Sequence, residues 1–223
     1  MPKVYFLADP HFYHRNVIQY CGRPFTTVDE MNQTILRNIN TVVMPDDTLY
    51  LVGDVVFGHP KRVTLEMTEA VIKQINCKNL ILVPGGHDKE FACKLPHLFK
   101  AICPMIDIVV YGQKITLCHY RMASWEKSSS GAWHLFGHHH GRFPVDDKTL
   151  AMDIGVDPNG FKPLSFNDIK AHMKTKHFIK PAYKNRRTVT VTEGTNKADM
   201  LAGNTAEPII PLPGTVSELK TNG

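Results

Sequence analysis

Five separate apolar runs in this sequence end in aspartate or histidine. After Val4–Ala8 come Asp9, Pro10 and His11. After Leu49–Gly53 comes Asp54. After Leu80–Gly86 come His87 and Asp88. After Lys114–Cys118 comes His119, and after His134–Gly137 come His138, His139 and His140. Aspartate oxygens and imidazole nitrogens, with no thiolate among them, suit Mn, Fe, Zn or Ni. The Asp9-x-His11 spacing sets two ligands on one side of an extended segment, because side chains alternate there. The same spacing joins His138 to His140 and turns His139 away. A single aspartate between two cations can bridge them through its two oxygens. Each piece alone is weak. Their joint occurrence, each behind an apolar run, points to a metal centre.

Such residues meet only if the runs that carry them share a sheet, since open α/β sheets bind ligands beyond the carboxyl ends of their strands. Residues 3–8, 48–53 and 79–83 are short apolar runs that read as strands. Residues 28–43 carry Val28, Met31, Ile35, Ile39 and Val42 at helical spacing, and Pro45 ends that helix. Residues 60–76 are helical by the same test, with Val63, Met67, Val71 and Ile75 on one face. Residues 106–118 read as a hairpin turning at Tyr111-Gly112-Gln113, and 133–136 and 149–156 as further strands. Ser165 with Asp168 forms a capping box for a helix to about residue 173. Strand and helix alternate first and strands dominate later, which predicts a layered α/β domain with a mixed sheet.

The chain has 223 residues, 43% of them hydrophobic and 21% charged, enough for one domain with a full core. No apolar stretch approaches the roughly 20 residues of a membrane helix, and Met1–Asp9 lacks the pattern of a signal peptide. A cytoplasmic protein without membrane contact is expected. Five cysteines without Cys-x-x-Cys pairing read as reduced thiols. The net charge of +5 is concentrated late, at Lys170, Lys174, Lys176, Lys180, Lys184, Arg186 and Arg187. That stretch is either a solvated helix face with a basic linker or an attraction for nucleic acid and other phosphates. The folded domain is expected over residues 1–187. Residues 188–223, rich in Pro, Gly and small polar side chains, are expected as an extended or disordered tail, with Thr188–Thr192 as an alternative edge strand.

The motifs together resemble the calcineurin-like metallophosphoesterases, whose pattern is DxH, GD, GNH followed by D or E, then H, then GHxH. Here the pattern stands as Asp9-Pro10-His11, Gly53-Asp54, Gly85-Gly86-His87-Asp88, His119 and Gly137-His138-His139-His140. Residues 11–25 (HFYHRNVIQYCGRPF) and 153–166 (DIGVDPNGFKPLSF) are similar to a small single-domain branch found in bacteria and phages. The resemblance covers roughly residues 3–173. It implies a four-layer α/β sandwich, two mixed β-sheets flanked by α-helices. It implies two divalent cations, Mn foremost, with Fe, Zn or Ni as alternatives. Asp9, His11, Asp54 and His140 would hold one, and Asp54, His119, His138 and the Asn of GNH the other. His87 would sit over the phosphate and protonate the leaving group, with Asp88 orienting its ring. A bridging hydroxide between cations about 3.5–4 Å apart would attack phosphorus in line.

The Asn of that pattern is Gly86 here, which removes one oxygen from the second cation. A water filling the place of the carboxamide, a change made to trap a substrate or product, and a degenerate site are the three readings. The retained Asp and His ligands speak against the last. His14 and Arg121 are candidate substrate contacts, although relatives often carry proline at the position of Arg121. Arg15, Arg23 and Arg142 are further candidates for a phosphate contact, with surface roles the leading expectation, and His59, His97, His134, His172 and His177 are expected in surface or packing roles. The implied activity is phosphoester hydrolysis, leaning to phosphodiesters of nucleotide type. Phosphomonoesters or phosphoproteins are the alternative substrates, nuclease action is a third reading, and a protein-binding scaffold on a retired site is the alternative of another class. The oligomeric state is not encoded in any motif.

Overall fold

Residues 2–57, 62–144 and 146–180 are described by a computed structural model. His59, Lys184, Arg186, Arg187, the expected boundary at 187 and the expected tail with Thr188–Thr192 lie outside the described residues. In chain order the elements are β1 (Val4–Leu7), α1 (Arg15–Cys21), α2 (Val28–Val42), β2 (Thr48–Leu51), α3 (Leu65–Lys73), β3 (Asn79–Leu82), α4 (Lys89–Lys94), β4 (Ala101–Ile102), β5 (Met105–Val110), β6 (Gln113–Cys118), β7 (Trp133–Phe136), β8 (Ala151–Asp153), β9 (Leu164–Ser165) and α5 (Phe166–Met173). No described helix is long and apolar enough to cross a membrane.

Two mixed sheets result. The first runs β4-β3-β2-β1-β9, with β1 to β4 parallel and β9 antiparallel to β1. The second runs β5-β6-β7-β8, with β6 to β8 parallel and β5 antiparallel. The layered α/β domain expected from the pattern is present, with the two mixed sheets that the resemblance implies. Strand β1 shows why its sequence is apolar throughout. Tyr5 and Leu7 face the core under the helices, while Phe6 and Ala8 face the core between the sheets. A strand buried on both faces loses the alternation of a half-exposed one.

Helix α2 lays Met31, Ile35, Leu36 and Ile39 into the first core, the i, i+4 stripe that its periodicity predicts. Thr27 Oγ1 accepts from the Glu30 amide at 3.1 Å and fixes its start. Each fully buried side chain of this kind contributes about 1.5–3 kcal/mol. The capping box at the head of α5 forms as expected, Ser165 Oγ receiving the Asp168 amide and Asp168 the Ser165 amide. Helix α3 starts at Leu65, later than the periodicity suggests, because Thr64 is extended and caps the Met67 amide. The seven-residue α1 and six-residue α4 are too short to show a helical stripe in sequence.

The sheets meet at the carboxyl end of β1. Leu7 still accepts from Val52 of the first sheet at 2.7 Å, but Ala8 pairs across to the second sheet. Its amide donates to Ile154 at 3.2 Å, and its carbonyl accepts from Val156 at 2.9 Å. The next residue, Asp9, therefore emerges in the seam between the two sheets.

Candidate metal centre

The parallel strands β1, β2, β3, β6 and β7 end at this seam, and their following loops carry Asp9, His11, Asp54, His87, His119, His138 and His140. Extended alternation would pair Asp9 with His11, and His138 with His140. The backbone does otherwise. Asp9, His11, Asp54, His138 and His140 all have left-handed φ, between 51° and 72°. Such residues cost about 1–3 kcal/mol each and persist where their surroundings enforce them. Here amide bonds enforce them: Asp9 to the Gly53 carbonyl at 3.0 Å, His11 to Asp54 at 3.1 Å and Phe12 to Val55 at 2.9 Å. His139 does turn away, its ring lying against Phe136 and Phe143.

Two clusters form. Ligand atoms of Asp9, His11 and His140 lie within 4.8 Å of one another, and so do those of Asp54, His119 and His138. Asp54 Oδ2 stands between them, 3.3 Å from His119 Nε2 and 3.7 Å from His11 Nε2. His119 Nδ1–H donates to the Val52 carbonyl at 2.9 Å, so Nε2 is left as its ligand atom. Among the described residues, His119 Nε2 and both ring nitrogens of His11 are buried without a hydrogen-bond partner. Buried polar atoms in folded proteins are nearly always satisfied, and a cation supplies what these nitrogens lack. The residues thus fit a two-cation site.

Electrostatics agree. Burial pushes Asp9 up to about 7 against the pull of His119 and His140. His119 is raised to about 9: burial opposes its charge, but the Asp54 carboxylate 3.3 Å from Nε2 and the field of Asp9 outweigh it. Burial lowers His11 and keeps it neutral despite Asp54. Asp54 is held low, because His119, the His87 amide and His11 overcome its burial. Asp9 and His119, both raised, are the groups from which a bound cation would displace protons.

The loop Pro84–Asp88 crosses the second cluster. A Cβ at Gly85 would lie 2.8 Å from the Asp54 amide and strike Asp54 Oδ1 as well, so only glycine lets the loop pass this close. Gly86 is exposed, and the His87 amide donates to Asp54 Oδ1 at 3.1 Å. The His87 ring is exposed, 3.8 Å from Asp54 Oδ2 through Nε2, and packs edge-on against Phe57 at 4.2 Å. Asp88 differs from expectation. Its Oδ2 accepts from the Asp54 and Gly85 amides at 2.7 and 2.8 Å, and its Oδ1 from the Val55 amide at 2.9 Å. Asp88 heads α4, and its fully buried carboxylate faces these amides, not the His87 ring. It ties the Asp54 and His87 loops together.

Arg23, expected at the surface, is only 4% exposed. Its guanidinium grips Asp157 with two bonds of 2.8 Å and donates to the carbonyls of Asp9 and Pro10 at 2.9 and 3.0 Å. Asp157 Oδ2 in turn receives His140 Nδ1–H at 2.7 Å, which leaves His140 Nε2 for a cation. Burial opposes the Asp157 charge, but His140 and Arg23 hold its pKa below the usual carboxylate range. Cys21, His140 and Asp157 also lie within 4.8 Å of one another, yet the Arg23 fork already fills Asp157. Asp157 escaped the sequence reading, although it follows the apolar run 149–156 as the other acids follow theirs. Arg23 carries no such signal.

His14 reaches the rim. Its ring lies 5.2 Å from that of His11 and 3.9 Å from Phe57, and burial beside His87 and Arg23 lowers it to about 4. Arg121 is not brought to the clusters; its guanidinium lies 4.6 Å over Phe143. His134 is fully buried and bonds the Met122 amide and the Thr116 carbonyl, while His97 and His177 pair with Glu69 and Asp147.

No family model matches the sequence. An uncharacterized protein of Methanocaldococcus jannaschii is 32% identical over 173 residues, spanning 75% of this chain and 89% of that protein. The chain belongs to the family of that archaeal protein. A solved structure of a protein of unknown function from Aquifex aeolicus is 25% identical, with a TM-score of 0.57 over 77% of this chain and 100% of its own; the fold is therefore shared with it. A structure described as a novel archaeal phosphodiesterase is 20% identical with a TM-score of 0.41, over 69% of this chain and 83% of its own. A phosphoesterase from E. coli is 16% identical with a TM-score of 0.37, over 69% and 78%. At those scores neither bears on the chemistry of this chain.

Proposed function

We propose that this chain is a metal-dependent phosphoester hydrolase of the metallophosphoesterase type, with Asp9, His11, Asp54 and His140 holding one divalent cation and Asp54, His119 and His138 a second. The observation that carries the reading is Asp54 Oδ2, set between His11 of one cluster and His119 of the other at 3.7 and 3.3 Å. Mn suits the oxygen and imidazole donors best, with Fe, Zn or Ni as alternatives. Bound there, two cations would supply charge neutralisation for a phosphoryl group and a hydroxide at neutral pH.

The chain's own residues do the rest. Asp88 fixes the backbone of Asp54, and Asp157 fixes the ring of His140. His87, exposed beside Asp54, is placed to protonate the departing oxygen. Phe57, between His14 and His87, offers an aromatic wall beside that proton donor. Phosphodiesters of nucleotide type are the substrates we favour, with phosphomonoesters as the alternative. The described cysteines are all unpaired, in keeping with a reducing, cytoplasmic setting. Gly86 leaves the second cation one side-chain ligand short but removes none of the charged or imidazole donors.

Hydrolysis of bis-p-nitrophenyl phosphate and p-nitrophenyl phosphate, measured across Mn, Ni, Zn and Mg, tests the proposal. Metal-dependent turnover that Asp54→Asn abolishes is expected, with the diester preferred. A wild-type protein inert with every metal would sink the enzyme reading and favour a scaffold.

A further inference from the structure

Tyr120 follows His119 off the end of β6 and overhangs the second cluster. Its ring centre is 4.9 Å from that of His119 and 4.9 Å from that of His138, edge-on to both. It is 46% exposed, and among the described residues its hydroxyl makes no hydrogen bond. A Cβ built on Gly86 would find one described atom within 4 Å, the Tyr120 hydroxyl oxygen at 3.2 Å. The loop at Gly86 thus contributes no side chain over the cluster, and the polar group that reaches the space beside it comes from the end of β6 in the second sheet. A neutral phenol is a hydrogen-bond donor and a poor cation ligand. The group it suits is an anionic oxygen held over Asp54, His119 and His138.

We propose that Tyr120 is a substrate-positioning residue whose hydroxyl donates to a non-bridging phosphoryl oxygen, in the space that Gly86 leaves open. The inference rests on the two-cation reading above. It makes Gly86 and Tyr120 a coupled pair: a small residue at 86 admits the phenol, and the phenol supplies the polar contact.

The test uses the full chain loaded with Mn and inorganic phosphate as the probe, with binding followed by calorimetry. Tyr120→Phe keeps the ring and removes only the hydroxyl. Phosphate affinity should fall about tenfold, as for loss of a hydrogen bond to a charged group, with kcat/KM for the diester falling in parallel. The stoichiometry and affinity for Mn should not change. In Gly86→Asn/Tyr120→Phe the carboxamide grows into the same space, and phosphate affinity should return to within about threefold of wild type. Unchanged phosphate affinity in Tyr120→Phe, with Mn still bound, overturns this inference and leaves the proposed function standing. Loss of Mn affinity in that variant also overturns it, by making Tyr120 a ligand. A wild type that binds no Mn overturns the proposed function and this inference with it.

Discussion

Replacing Asp157 with Asn tests whether the first cluster is held from behind. The Asp157 and Arg23 side chains are 8% and 0% exposed, so the substitution leaves a buried guanidinium without its counter-charge. Breaking a buried pair from one side costs about 3–5 kcal/mol. Arg23 keeps the carbonyls of Asp9 and Pro10, and the Asn oxygen can still accept one bond, which places the loss near the lower end, about 3 kcal/mol. At roughly 2–4 °C per kcal/mol for a domain of this size, the melting temperature of the metal-free protein should fall by about 6–12 °C in scanning calorimetry. His140 also loses the acceptor that fixes its ring, so Mn affinity should fall about 10–100-fold. Removing both charges in Arg23→Met/Asp157→Leu should recover much of the stability but none of the Mn affinity. The pH dependence has a definite sign. Asp157 ionises more readily in the fold than in the unfolded chain, so its contribution is present above the unfolded value near 4 and is lost as pH falls below it. Asp157→Asn should flatten that acid limb. An Asp157→Asn protein that melts within about 2 °C of wild type, roughly 1 kcal/mol or less, and binds Mn equally well would refute the reasoning.

Gly85→Ala should drive its Cβ into the Asp54 amide and carboxylate and lower kcat/KM on the order of 100-fold; Gly86→Ala, which meets only the Tyr120 hydroxyl, should lower it far less, and equal effects would contradict the loop geometry. His119 is raised to about 9 and Asp9 to about 7. In the metal-free protein the His119 contribution is therefore full below the unfolded value near 6.5 and lost as pH rises towards 9. Mn must displace that proton, so Mn affinity should climb across the same window with proton release, measured by calorimetry in buffers of different ionisation enthalpy; a flat profile would argue against His119 as a ligand. His87→Gln should slow esters with poor alcohol leaving groups by about 10²–10⁴-fold and p-nitrophenyl esters much less, with Mn binding unchanged. A uniform loss over both substrate types would remove His87 from the role of acid.

The strands that carry the ligands were legible because each apolar run, buried on both faces over most of β1, β2 and β7, stops at an acid or histidine. Helices α2 and α5 were legible because they are long enough to show a stripe or a capping box. What the sequence concealed is of another kind. The Asp-x-His spacing works through left-handed turns at Asp9 and His11, and alternation along a strand does not describe it. Asp88 reads as a partner of the adjacent histidine, but its carboxylate faces three amides, two of them in the Asp54 loop. Arg23 reads as surface because nothing local shows that Asp157, 134 residues later, returns to neutralise it. These are long-range pairings of polar groups, which hydrophobic periodicity does not record. Tyr120, beside His119 in sequence, gains meaning only from the approach of Gly86.

The most direct test of the two-cation centre is anomalous diffraction at the manganese edge from crystals grown with Mn. Two peaks about 3.5–4 Å apart are predicted, with Asp54 between them, Asp9, His11 and His140 on one, and His119 and His138 on the other. A single peak, or density at Cys21, His140 and Asp157 instead, would contradict the account.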